Sequence, residues 1–176
     1  MTAPMSGGRR RIDRVLASDF LADLDDADLE TLRELRGEAE QEEVDLSYVR
    51  RLIQGRIDIA EAERHRRVTG GNAPSIIDQL AMILSDEGAT TTGSGRHLSA
   101  EPSRVDEHRR VVERVISDVR MSDVSELSDD QLDGALKVLR QHEQRVSDLR
   151  RQVQTVVDSL SGEVGRRMAA AADVVF

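Results

Sequence analysis

Five apolar residues at helical spacing, Leu46, Val49, Ile53, Ile57 and Ala60, recur one hundred positions later as Val146, Leu149, Val153, Val157 and Leu160. Steps of three and four keep such side chains on one face of an α-helix. The first run lies in a stretch, Asp25 to Arg67, that holds no proline and only two glycines, Gly37 and Gly55. The second is extended by Leu132, Leu136 and Leu139 on one side and Val164 on the other. Two long helices that each carry one narrow apolar seam bury those seams by packing on each other. Composition leaves little room for a broader core. Aromatic residues make up 2% of the chain (Phe20, Tyr48 and Phe176), against 34% charged residues. That balance fits two-stranded helical packing better than an α/β enzyme. The expected fold is all-α, with two long helices pairing as an antiparallel coiled coil and short accessory helices in the connection.

A second repeat runs beside the seam. Glu43, Ser47, Arg50, Gln54 and Asp58 follow the pattern E-x3-S-x2-R-x3-Q-x3-D, and so do Glu143, Ser147, Arg150, Gln154 and Asp158. This spacing holds all five side chains within roughly an 80° sector of one helix face. That sector lies roughly 100° around the helix from the seam. Each helix therefore has one dry face and one polar face. A solvated face or an i,i+4 ladder explains one such stripe, but not five identities at five spacings in two distant segments. We read the stripe as a duplicated binding half-site.

The stripe's chemistry narrows its ligand. A plain phosphate site avoids acids. Glu43 and Asp58 stand four turns apart, too far to share a metal ion. Arginine can donate a fork to O6 and N7 of guanine, and a carboxylate can accept from N1–H and N2–H of the same base. Serine and glutamine suit phosphate and sugar. Two matching half-sites suit a guanine nucleotide with two-fold symmetry, and cyclic di-GMP is such a molecule. His65, His97, His108 and His142 lack ligand spacing, Gly93-Ser94-Gly95 lacks the phosphate-loop pattern, and Asp25, Asp26 and Asp28 lack the calcium-loop pattern. No nucleophile, base and orienter come together, so the chain is read as a non-enzyme.

The rest of the chain is organised around the two stripes. The expected divisions are a flexible N-terminal arm (1–24), a first motif helix (25–67), a linker with short helices (68–127) and a second motif helix (128–170), in one coiled-coil domain. Residues 12–24 read as a short helix or an arm that docks on the core. Asp25 or Asp26 is expected to cap the first long helix and Ser128 the second. The capping segments are then 103 apart and the stripes 100, as if the second copy had lost three residues. Thr69-Gly70-Gly71-Asn72 stops the first helix. Residues 76–84 and 105–120 read as short apolar helices, and 86–104 as a linker. Tyr48 lies off the stripe and is expected to pack or touch a partner. The net charge of −9 disfavours DNA and favours a basic protein partner. Cysteine is absent, which excludes disulfides. No apolar run reaches 18 residues and the first 11 residues carry no signal-like core, so the expectation is a cytoplasmic protein without a membrane span.

The paired motif, together with the stretch from Asp45 to Asp58, resembles the RsiG family of anti-sigma factors from sporulating filamentous bacteria. All ten motif positions match, and the resemblance covers about 24–67 and 105–167. It implies that the ten stripe residues bind cyclic di-GMP, as a dimer, with one chain supplying both half-sites. It also implies that the loaded protein sequesters a flagellar-type sigma factor, WhiG. The competing reading is a constitutive coiled-coil adaptor or dimerisation protein, in which the stripe is polar glue that fixes register.

Overall fold

The structure is a computed structural model that describes residues 4–5, 7–70 and 124–173. The expected helices at 76–84 and 105–120 and the expected linker at 86–104 lie outside these residues. Among the described residues all regular structure is helical: α1 (Arg11–Val15), α2 (Leu29–Val68), a 3-10 turn (Val124–Glu126) and α3 (Asp129–Asp173).

The ends of the long helices have local causes. Asp28 Oδ1 accepts from the Thr31 backbone N–H at 2.7 Å, which caps α2. The cap is thus neither Asp25 nor Asp26. Ser128 caps α3 as expected, through a reciprocal box. Its hydroxyl accepts from the Gln131 N–H at 3.3 Å, and the Gln131 side chain accepts from the Ser128 N–H at 2.9 Å. Asp28 and Ser128 stand one hundred positions apart, like the stripes and seams. The repeat therefore runs from cap to stripe without the expected three-residue gap. α2 ends where Gly70 takes φ +66°, in the left-handed region that glycine enters without steric cost. The Thr69 hydroxyl and N–H both donate to the His65 carbonyl, closing the last turn.

The chain divides into two compact units, and α2 and α3 contribute to both. Of the described residues, the first unit holds those up to 48 and from 145 onward, and the second holds 49–70 and 124–144. In the first unit Leu32, Ala39 and Leu46 of α2 are buried, as are Val146, Leu149, Val153, Val157, Leu160 and Val164 of α3. There Arg33 lies 4.0 Å from the Met168 sulfur, while Glu43 lies 2.9 Å from Arg150. Partners rise along one helix as they fall along the other, so the pairing is antiparallel. In the second unit Val49, Ile53 and Ala60 are buried with Leu132, Leu136 and Leu139. Its contacts run from Arg50–Glu143 through Glu61–Arg140 and Arg64–Asp133 to Arg67–Asp129, again antiparallel. The expected all-α antiparallel helix pair is what forms. The five repeated seam positions of each copy are buried except Ile57, which is half-buried, as are Leu29 and Leu35 at the expected start of the apolar face of α2.

α1 docks in the first unit. Ile12 and Val15 are buried, and Asp13 accepts from the Arg10 guanidinium and from the Met5 and Arg10 backbone N–H groups. These donors, Arg10 first, hold the Asp13 carboxyl down at about 2. Arg11 reaches Asp45 at 2.8 Å and stands 3.8 Å from Glu42, and Arg14 pairs with Glu38. Glu38, Glu42 and Asp45 share one face of α2 by their four- and three-residue steps. Glu42 and Asp45 are almost fully shielded from solvent.

Each fully buried leucine or valine contributes roughly 1.5–3 kcal/mol relative to exposure, so the seam carries most of the stability. Val153 has no exposed surface. Val153→Asp places an unpaired carboxylate there, a change on the order of several kcal/mol, comparable with the whole stability of a small domain. The expected result in circular dichroism is loss of the cooperative helical melt. Retention of full helicity with an unchanged melt would contradict the seam assignment.

Candidate functional site: paired arginine and glutamate residues on the helix faces

The glutamate and arginine of each stripe meet across copies. In the first unit α2 supplies Glu43 and Ser47, and α3 supplies Ser147, Arg150, Gln154 and Asp158. Arg150 Nη1 donates to Glu43 Oε1 at 2.9 Å, and the Ser47 hydroxyl donates to the same oxygen at 3.0 Å. Glu43 is 6% exposed, so its carboxylate needs these donors. Arg150 Nε is buried and has no hydrogen-bond partner among the described residues. Gln154 donates to Asp158 at 3.0 Å, one turn along. In the second unit α2 supplies Arg50, Gln54 and Asp58, and α3 supplies Glu143. Arg50 Nε donates to Glu143 Oε1 at 2.8 Å. Gln54 and Asp58 follow Arg50 at one-turn intervals. Lost hydration first, and then the neighbouring Glu61 carboxylate, push Asp58 above its ordinary value of 3.8.

Each unit takes the glutamate of one copy and the arginine, glutamine and aspartate of the other. The pairing holds each guanidinium through a hydrogen bond to a carboxylate of the other copy.

A family model for RsiG-like proteins matches residues 18–84 and 118–176, which include both long helices and all ten stripe positions. The chain belongs to the RsiG-like family. No curated protein matches it. Membership in the family suggests an anti-sigma-factor regulatory role and a protein that is not an enzyme. No described helix is long and apolar enough to cross a membrane.

The structure also shows a second duplicated constellation in this RsiG-like chain, which the sequence reading missed. Glu63, Arg66 and Arg67 recur as Glu163, Arg166 and Arg167, at the same offset as the stripe. In the second unit Glu63 accepts from Arg66 at 2.7 and 2.8 Å and from Arg67 at 2.7 Å. Arg67 then donates to Asp129 at 2.8 Å and to the carbonyls of Val124 and Ser125, both at 3.2 Å. In the first unit Glu163 accepts from Arg166 at 2.8 and 2.5 Å and from Arg167 at 2.6 Å. Arg167 donates to the carbonyls of Leu24 at 3.0 Å and Asp25 at 2.6 Å. Each E-x2-R-R set therefore ties the end of one long helix to the segment that enters the other. The signal was available in the sequence as three identities beyond the stripe. The arm repeats too: Arg10, Ile12, Asp13, Arg14 and Val15 correspond to Arg110, Val112, Glu113, Arg114 and Val115. The second set of these lies outside the described residues.

Hydrogen bonds from Arg66 first and Arg67 next, against desolvation, bring Glu63 from 4.5 down to about 2. Arg166 and Arg167 do the same to Glu163. A depressed carboxyl adds stability that is complete above its unfolded value of 4.5 and is lost as pH falls toward 2. Thermal unfolding followed between about pH 5 and about pH 2 is expected to show this acid loss. A Glu63→Gln/Glu163→Gln double variant is expected to lose less on acidification than the parent. Identical acid profiles would remove these carboxyls from the explanation.

Proposed function

We propose that this RsiG-like chain is a cyclic di-GMP-dependent anti-sigma factor that binds and sequesters a WhiG-type sigma factor. The observation that carries the reading is the arginine–glutamate pair found once in each unit, with glutamine and aspartate at one-turn intervals beyond the arginine. On this reading a guanine of the nucleotide presents O6 and N7 to Arg50 or Arg150 and takes the place of the glutamate at the guanidinium. Asp58 and Asp158, or the displaced Glu43 and Glu143, accept from N1–H and N2–H. Ser47, Ser147, Gln54 and Gln154 serve phosphate and ribose. The unpartnered Nε–H of Arg150 supports this, because it is a buried donor that an incoming acceptor would satisfy. Cyclic di-GMP is two-fold symmetric, and the chain carries the same five residues twice. A dimer of the nucleotide, bound by a single chain, uses both sets.

The sigma factor enters through coupling. If nucleotide and sigma factor are both held by the loaded protein, each must strengthen binding of the other, because coupling free energy is reciprocal. The acidic balance of the chain favours a basic partner surface and speeds its association. The adaptor reading has one observation in its favour: the arginine–glutamate pairs are already satisfied and can serve as polar contacts between the helices.

The two readings separate in a titration. Isothermal calorimetry of the parent with cyclic di-GMP is expected to show binding. Arg50→Ala and Arg150→Ala are each expected to weaken it by about 1–3 kcal/mol, roughly 5- to 150-fold, with helicity retained because alanine is the better helix former. Sigma-factor affinity is expected to rise when the nucleotide is present. Unchanged nucleotide affinity in both variants would defeat the guanine contact. Equal sigma-factor affinity with and without nucleotide would leave a constitutive adaptor.

A further inference from the structure

The aliphatic seam does not by itself fix how far one helix slides along the other. Its buried positions on α3, Leu132, Leu136, Leu139, Val146, Leu149, Val153, Val157, Leu160 and Val164, are similar in kind and recur at steps of three, four and seven. A shift by one heptad displaces a helix by about 10 Å and sets aliphatic groups against aliphatic groups again. The stripe cannot tolerate such a shift, since Arg50 faces Glu143 and Arg150 faces Glu43 within single hydrogen-bond lengths.

We propose that the two E-x2-R-R sets, Glu63-Arg66-Arg67 and Glu163-Arg166-Arg167, are register clamps that position the stripe arginines. The distinctive feature is the acceptor. Arg67 grips two main-chain carbonyls, Val124 and Ser125, and Arg167 grips those of Leu24 and Asp25. A carbonyl has no rotamer with which to follow a moving partner. A slip of even one helical turn, about 5.4 Å, breaks both bonds. Glu63 and Glu163 fix the height of the gripping arginine on its own helix, and Arg66 and Arg166 hold those glutamates in turn. Glu63 is 1% exposed, so the anchor lies where an ion pair is only weakly screened. The second unit carries Arg50–Glu143 and the Arg67 clamp, and the first carries Glu43–Arg150 and the Arg167 clamp. Each arginine–glutamate pair therefore has a clamp in its own unit. The sets are positioning residues.

The test is a distance measurement on the full chain, which has no native cysteine. Spin labels at His65→Cys and Lys137→Cys, both exposed and both in the second unit, report the register there. The parent is expected to give one narrow distance distribution. Arg67→Gln is expected to give a broadened or two-peaked one with helicity retained. Arg67→Lys is expected to do the same, since a point charge cannot grip two carbonyls and Asp129 together. The paired change Glu63→Met/Arg67→Met removes the buried carboxylate along with the gripping arginine and leaves the part-exposed Arg66 to water, so the helices stay folded while the register loosens. A merely stabilising role would lower the melting temperature and leave the distribution single and unmoved. That result in all three variants would overturn the proposal. A second readout, which rests on the cyclic di-GMP reading, is nucleotide affinity, expected to fall at least tenfold in each variant. If the parent binds no nucleotide, that reading fails, and the distances still decide the clamp. If affinity falls while the distances stay unchanged, the clamp is overturned.

Discussion

The burial of a narrow aliphatic strip is the constraint from which the other features follow. With almost no aromatic residues to widen it, the seam stays a strip of aliphatic side chains with charged groups packed beside it. Groups beside that strip range from nearly shielded to part exposed. Glu43 and Glu63 lie at its dry edge, nearly shielded, while Arg50, Arg150 and Glu143 are part exposed. Charges in such a position interact more strongly than on an open surface and must still be paired. This is why a chain with 34% charged residues folds around ion pairs placed beside its seam.

A duplicated sequence folded as an antiparallel pair acquires a further property. When position i of one copy faces position j of the other, the equivalent of j in the first copy faces the equivalent of i in the second. One type of contact is therefore made twice. The chain does this with Arg50–Glu143 and Arg150–Glu43, and again with the Arg67 and Arg167 grips on entering segments. Each element of the duplicated motif has its counterpart on the other helix, so no second subunit is needed to complete either pair. The same logic explains why the stripe can be polar. Its glutamates and arginines pair across copies, where a stripe of one sign would repel itself.

Much of this was legible in the residues, for identifiable reasons. Apolar periodicity marked the seam because burial selects side-chain type directly, and the identities of the stripe recurred at one offset. The cap of α2 was not legible. Asp25, Asp26 and Asp28 are all able to cap, and only the fold shows that Asp28 does so while the carbonyl of Asp25 is engaged by Arg167. The crossing of glutamates and arginines between copies was also hidden, since it depends on the axial offset of the helices and not on spacing within one. The clamps and the docking of α1 rest on contacts between residues tens to more than a hundred positions apart, such as Arg11 with Asp45 and Arg167 with Leu24. Local pattern carries no such information, although the repetition of Glu63, Arg66 and Arg67 was open to view.

Where the two copies differ is as informative as where they agree. The acids that receive α1, Glu38, Glu42 and Asp45, correspond to Val138, His142 and Arg145 in the second copy. One helix thus presents an acidic face covered by the arm. The matching positions of the other carry an exposed valine, a histidine and an exposed arginine. The stripe and the clamps are duplicated, while this face is not. A two-fold symmetric ligand demands sameness, because each of its halves must meet the same donors. A single folded protein partner has no two-fold axis, and it gains specificity from a surface that differs between the two helices. On the proposed reading the duplicated residues answer to the nucleotide and the diverged ones are free to answer to the partner. Divergence at 38, 42 and 45 against 138, 142 and 145 then costs the stripe nothing, because those positions lie across the seam from it by helical geometry.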